Sequence, residues 1–168
     1  MLKRKSDRKE TEHKVEEVLQ VVCFHVAGEL YGLDIASVRE IDRMQPITKV
    51  PKALPFVEGV IRMRESIIPV LDLSKRFGLP AINPDRQTRI IIARLHGLDV
   101  GLIVNQVAEV ISIPAKAIGP APPLTFDTQH RFVSGMAKIN DGLISLLNLD
   151  RLLSVEEVAQ FQQQQSLF

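Results

Sequence analysis

Three carboxylates, Asp34, Glu40 and Asp72, lie beside strand-like segments. Paired acids can donate and accept protons, so acid–base chemistry is the first activity they suggest. Each also has a plainer role. Asp72 follows an apolar run and precedes Leu73-Ser74-Lys75-Arg76, the place of a helix N-cap. Asn148 holds the matching place in a second, repeated block, and capping accounts for both residues. Glu40 likewise matches Glu109, which points to a structural or interface role shared by two units. Cys23 could act as a nucleophile, but it sits mid-strand between Val22 and Phe24, the setting of a small buried hydrophobe. It is the single cysteine, so no internal disulfide can form, in keeping with a reducing compartment. His13, His25, His96 and His130 are scattered, without a His or Cys neighbour at a metal-ligand spacing. Neither a phosphate-cradling glycine loop nor a nucleophile elbow is present. The reading is a protein with no catalytic residue, no metal and no cofactor.

The elements around these residues repeat. Residues 21–41 lie without a gap on residues 90–110, with Gly28 on Gly97, Gly32 on Gly101, Val38 on Val107 and Glu40 on Glu109. Residues 59–77 lie on 135–153, with Ile68 on Ile144, Leu71 on Leu147 and Leu73 on Leu149. Between these blocks the second copy is longer by seven residues, stiffened by Pro120, Pro122 and Pro123.

Hydrophobic residues make up 45% of the chain, enough for a substantial core, and charged residues 24%. The net charge of +1 and an aromatic content of 5% without Trp argue against a nucleic-acid binder. No apolar run reaches membrane-spanning length and the N-terminus lacks a signal-peptide core, so the sequence predicts a cytoplasmic protein. Residues 1–19 are expected to be a charged, disordered arm. The pattern turns strand-like near Leu19. Hairpins are predicted around Gly28 and His96-Gly97, with a further strand after each. On the strand after the first hairpin, Val38, Glu40 and Asp42 share one face. Two more hairpins, Val57–Leu73 and Phe132–Leu149, each run into a short helix. Residues 79–86, with two prolines, form the expected linker. A further helix follows in residues 154–168, ending in a mobile glutamine-rich tail.

Short strands, Gly- and Pro-rich turns and brief helices predict a mainly β fold. The expectation is two pseudo-symmetric five-stranded SH3-like barrels side by side, about 25–79 and 86–153. They would share an apolar seam, because a unit that small is marginal alone.

The motifs together resemble the CheW-like domain family of bacterial chemotaxis coupling proteins. Phe24, Tyr31-Gly32-Leu33-Asp34-Ile35 and Val38-x-Glu40-Ile41 match its start. Ile47-Thr48-x-Val50-Pro51 and Phe56-Val57-x-Gly59-Val60-Ile61 follow. Arg64 with Ile67-Ile68-Pro69-Val70-x-Asp72-Leu73 is the most characteristic stretch. Val100-Gly101-Leu102, Val107-x-Glu109-Val110, Gly135 and Leu146-Leu147-x-Leu149 complete a collinear set over about residues 20–153.

This resemblance implies twin barrels, with the first strand region able to cross from one to the other. It also implies an adaptor linking chemoreceptor cytoplasmic tips to the regulatory domain of a sensor histidine kinase. Through those partners the protein would associate with membrane-bound receptor arrays. The receptor tip would lie in an apolar groove between the barrels. Ile35, Val38, Glu40, Gly59, Arg64, Gly101 and Gly135 match the receptor surface; the glycines would admit the partner backbone, and Glu40 would pair with Arg64. Ile47, Val50 and Leu124 match kinase-contact regions. Two departures stand out. Glu65 occupies a usual glycine position beside Arg64, and Asn105 stands where many members have Asp. Glu65 suggests an alternative: a module that binds the kinase but not standard receptors and serves a non-motility chemosensory pathway.

Overall fold

The computed structural model describes residues 17–120, 131–140 and 142–165. It contains eleven strands among these residues. The first hairpin pairs β1 (Val18–Val26) with β2 (Glu29–Asp34), and β3 (Val38–Arg43) follows a 3₁₀ turn at Ile35–Ser37. A second hairpin pairs β4 (Val57–Met63) with β5 (Ser66–Asp72) and leads into helix α1 (Leu73–Arg76). The second copy repeats the plan. β6 (Arg89–Leu95), β7 (Leu98–Val104) and β8 (Gln106–Pro114) come first. β9 (Ile118–Gly119), β10 (Val133–Ile139) and β11 (Gly142–Leu147) complete it. Helix α2 (Val155–Gln165) closes the described chain.

Both leading hairpins turn on a left-handed pair. Ala27 and Gly28 have φ of 51° and 79°, and His96 and Gly97 have φ of 49° and 76°. Two successive positive φ values match the twist of the flanking strands.

The strands form two sheets, and the expected boundaries at 25–79 and 86–153 do not describe them. One sheet runs β8-β1-β2-β11-β10-β9 and the other β3-β6-β7-β5-β4. Each half has given its leading hairpin to the other. The same register does this twice: Gly32 lies parallel to Leu146, and Gly101 parallel to Val70. Apolar patterning supplies the reason. Ile90 and Ile92 enter the core of one barrel, while Ile91, Ala93 and Leu95 face a different core. In the same way Val21 and Cys23 fill the other barrel, and Phe24 and Val26 face away from it. A hairpin apolar on both faces must be covered on both faces. The exchange places both hairpins at the centre of the molecule, where that is possible.

Each sheet curls, because one chain segment serves both of its edges. The chain leaves β3 at one edge and reaches the other, where Thr48 and Val60 exchange backbone hydrogen bonds of 2.9 and 2.8 Å. In the second sheet β8 runs through a 3₁₀ turn into β9, which pairs with β10 at the opposite edge.

The seam expected between the units is the largest core. Tyr31, Phe24, Phe77 and Phe132 sit fully buried within it, with neighbouring ring centroids 5.1–6.0 Å apart. Asp72 and Asn148 both cap, accepting from the backbone N–H of Lys75 at 3.1 Å and Asp150 at 3.0 Å. Helix α2 opens with a reciprocal capping box. The Ser154 hydroxyl accepts from the Glu157 N–H at 3.0 Å, and Glu157 Oε1 accepts from the Ser154 N–H at 2.8 Å. The helix continues through the glutamines to Gln165, where the sequence suggested a mobile tail. Its Val158 and Phe161 are buried in the central core. Residues 1–16 lie outside the described residues, and strand β1 begins at Val18, within the expected arm.

Candidate docking clefts

Strand β3 presents Val38, Glu40 and Asp42 on its half-buried face and Arg39, Ile41 and Arg43 on its exposed face. Val38 packs against the central core. Two residues on, Glu40 borders a cleft of about 610 Å³. Met63, Ile68 and Ile92 give this cleft an apolar floor; Arg39, Glu40 and Arg64 stand at its rim. Arg94 and Asp99, an ion pair at 3.1 Å, line another side.

The structure thus brings Glu40 and Arg64 to one cleft without joining them. Among the described residues, no ion pair within 4.0 Å links them. Arg64 is held in the two-residue turn between β4 and β5 at a φ of 56°. Its neighbour Glu65 is exposed and pairs with neither Arg62 nor Arg64. Among the described residues, the charges at this rim are therefore left for solvent or a partner.

A second cleft, of about 310 Å³, crosses from one sheet to the other. Leu33, Asp34 and Ser37 line it from the first hairpin and its turn, with Ser134 and Asn148 opposite. Asp34 is committed locally, accepting from the Ala36 N–H at 2.9 Å. Arg94 lines both clefts. The sequence reasoning missed this residue, although an arginine inside the apolar run Ile90–Leu95 is a visible signal. Ile35, on the turn after β2, is 39% exposed, a large apolar side chain offered to solvent. The apolar seam itself is filled by the protein's own side chains, so the open clefts are of mixed polarity.

The three candidate glycines are buried and meet their own chain. A Cβ on Gly59 would overlap the Thr48 carbonyl oxygen, and φ there is 148°. Its repeat mate Gly135 faces the Gly119 carbonyl oxygen, which a Cβ would approach to 2.9 Å. Both therefore allow the edge-crossing segment to close its barrel. A Cβ on Gly101 would lie 2.9 Å from the Ile90 side chain. Ile47 and Val50 are half-buried on the segment that bridges β4, with Ile47 packed on the barrel core. Leu124 lies outside the described residues.

Burial, with Glu109 adding to it, pushes the Cys23 thiol up to about 11, which makes it a poor nucleophile at neutral pH. Among the described residues, no cluster of His, Cys, Asp or Glu could hold a metal ion. No helix among them is long and apolar enough to cross a membrane.

Comparison with known proteins gives the same picture. Residues 20–157 match the family model described as CheW-like domain. The chain is 32% identical over 138 residues to the Chemotaxis protein CheW of Rhizobium meliloti, covering 82% of this chain and 89% of the relative. To the Chemotaxis protein CheW of Klebsiella aerogenes it is 29% identical over 140 residues, covering 83% and 84%. The crystal structure of the scaffolding protein TtCheW from Thermoanaerobacter tengcongensis superposes with a TM-score of 0.77 at 42% identity. That match covers 84% of this chain and 96% of the other. Matched by that family model over most of its length and by relatives named Chemotaxis protein CheW, the chain belongs to the CheW-like family of chemotaxis adaptor proteins.

Proposed function

We propose that this adaptor couples the cytoplasmic tips of methyl-accepting chemoreceptors to a sensor histidine kinase, docking on the kinase's regulatory domain. It works in the cytoplasm and reaches membrane-bound receptor arrays through those partners. The observation that carries this reading is the cleft rimmed by Glu40 and Arg64, whose charges have no partner among the described residues. Unpaired charges around an apolar floor suit a helical partner. The floor takes its apolar stripe and the rim sets its orientation. Ile35, Val38 and Arg94 extend the receptor surface toward the second cleft, while the Ile47–Val50 segment faces the kinase. The glycines Gly59, Gly101 and Gly135 act indirectly, by shaping the barrels that carry these residues.

Calorimetric titration with a receptor-tip hairpin and, separately, with the kinase regulatory domain tests this. Ile35→Asp, at an exposed position, should weaken the receptor complex and spare the kinase complex. Equal binding of the receptor hairpin by Ile35→Asp and the unaltered protein rejects the receptor assignment.

Glu65 favours a second reading, in which the protein binds the kinase but not standard receptors and serves a non-motility chemosensory pathway. It adds an exposed negative charge beside Arg64 at the rim. If that reading holds, Glu65→Gly raises receptor affinity; unchanged affinity removes its support.

A further inference from the structure

At the far end of β3 from Val38, Arg43 lies directly opposite Arg89 of β6 in antiparallel register. Like charges in that relation oppose folding. The internal repeat shows that the barrel does not need them. At the equivalent place in the other sheet, Gln20 lies opposite Ser112. A third arginine, Arg86, joins from the linker, and the three border a cleft of about 420 Å³.

The carboxylate lining this cleft, Asp85, is engaged in its own turn. Its Oδ1 accepts from the Gln87 N–H at 2.8 Å and from the Thr88 N–H at 3.2 Å. Among the described residues, none of the three arginines has a carboxylate within 4.0 Å. Arg89 is nonetheless fixed. Its Nη1 donates to the carbonyl oxygens of Arg86 at 2.8 Å and Thr88 at 2.9 Å. One guanidinium is thus held in place before a partner arrives, with a second on the neighbouring strand and a third beside them.

We infer that Arg43, Arg86 and Arg89 form a docking site for paired carboxylates on an acidic, helical segment of a protein partner. Guanidinium forks match carboxylates two bonds at a time. Arginines on adjacent strands stand about 5 Å apart, the spacing of glutamates one helical turn apart. A nucleic-acid backbone fits less well, since among the described residues no aromatic side chain lines the cleft for a base to stack on. This inference does not rest on the receptor reading, because it uses neither Glu40 nor Arg64.

The test uses the full chain and a synthetic helical peptide with glutamates at i and i+4. A glutamine version of the peptide and inorganic phosphate serve as comparisons. The glutamate peptide should shift the backbone NMR signals of residues 43–44 and 85–89 at low salt, and the glutamine peptide should not. Arg43→Ser with Arg89→Gln copies the pair found in the other barrel. It should bind the glutamate peptide about tenfold more weakly while melting at the same or a higher temperature. Should that variant not fold, Arg86→Gln carries the test, with a loss of severalfold expected. The inference is overturned if the glutamate peptide does not bind, if the two peptides bind alike, or if the folded variant keeps full affinity. Displacement of the peptide by equimolar phosphate also overturns it, since the site would then be a general anion site.

Discussion

Arg76 Nε donates to the carbonyl oxygen of Leu152 at 2.7 Å, joining two positions that are equivalent in the internal repeat. The guanidinium also lies 4.3 Å from the ring centre of Phe56 and 5.0 Å from that of Phe132, another equivalent pair. Glu157 of α2 approaches Arg76 Nη2 at 3.4 Å. One side chain therefore sits between the two copies and ties the C-terminal segment to α1. Burial pulls its pKa below the usual arginine value, with Glu157 opposing that pull and Arg131 adding to it.

Replacing Arg76 by Ala removes the bond to Leu152, the stacking and the ion pair together. The expected loss is about 2–3 kcal/mol in urea denaturation. Arg76→Lys should recover only part of it, because an ammonium cannot stack on Phe56 and also donate to Leu152 in the same way. Equal stability of the Ala variant and the unaltered protein would show that the junction holds without Arg76.

Gly59→Ala and Gly119→Ala should differ sharply. At Gly59 the new methyl group meets the Thr48 carbonyl oxygen and φ is positive, so the bridge that closes the barrel must open. A cost above about 1 kcal/mol is expected. At Gly119 no atom of the described residues lies within 4 Å of the added Cβ, and the change should stay within about 0.5 kcal/mol. Thermal melts of both variants decide the matter. A Gly59→Ala protein that folds normally but loses receptor binding would instead support direct contact with a partner.

Stability should fall in alkaline solution. The Cys23 thiol titrates near 9.0 when exposed and at about 11 when folded. The unfolded chain thus loses its proton first as pH rises. The thiol's contribution is fully present below pH 9.0 and disappears toward pH 11. Tyr31 acts in the same direction. Burial raises its phenol, helped by the charge of Glu29 and the 3.2 Å hydrogen bond to it. The Cys23 shift alone should remove on the order of 2 kcal/mol by pH 11, and Tyr31 adds to that loss. Denaturation midpoints at pH 8 and pH 10.5 measure this, and Cys23→Ala should flatten part of the slope.

Glu40 and Arg64 should show almost no coupling in the free protein. They share a cleft but form no ion pair, so a Glu40→Gln, Arg64→Gln double-mutant cycle on stability should give less than about 0.5 kcal/mol. Each single change should nonetheless weaken the receptor complex. Coupling above about 1 kcal/mol in the free protein would mean that the two side chains meet in solution.

Much of this was legible in the chain. The period-2 alternation at Val38–Asp42 gave the correct faces of β3, because a strand fixes side-chain direction locally. The caps at Asp72 and Asn148 and the hairpin turns at Gly28 and Gly97 were equally local. The fate of the glycines was not. Gly59 and Gly135 have their nearest neighbours on segments that bridge the sheet edge, and no single strand reveals that contact.

Two copies of a small β unit, their turns and caps, and membership of an adaptor family can all be read from the order of the residues. Those properties follow from backbone conformation and from the order of residues along the chain. The exchange of leading hairpins, the place of Arg94 in both clefts and the pairing of Arg43 with Arg89 emerge only in the folded molecule. An apolar run such as Ile90–Leu95 shows that both its faces need covering. It does not say which distant segments cover them, because burial free energy depends on area and not on the identity of the neighbour.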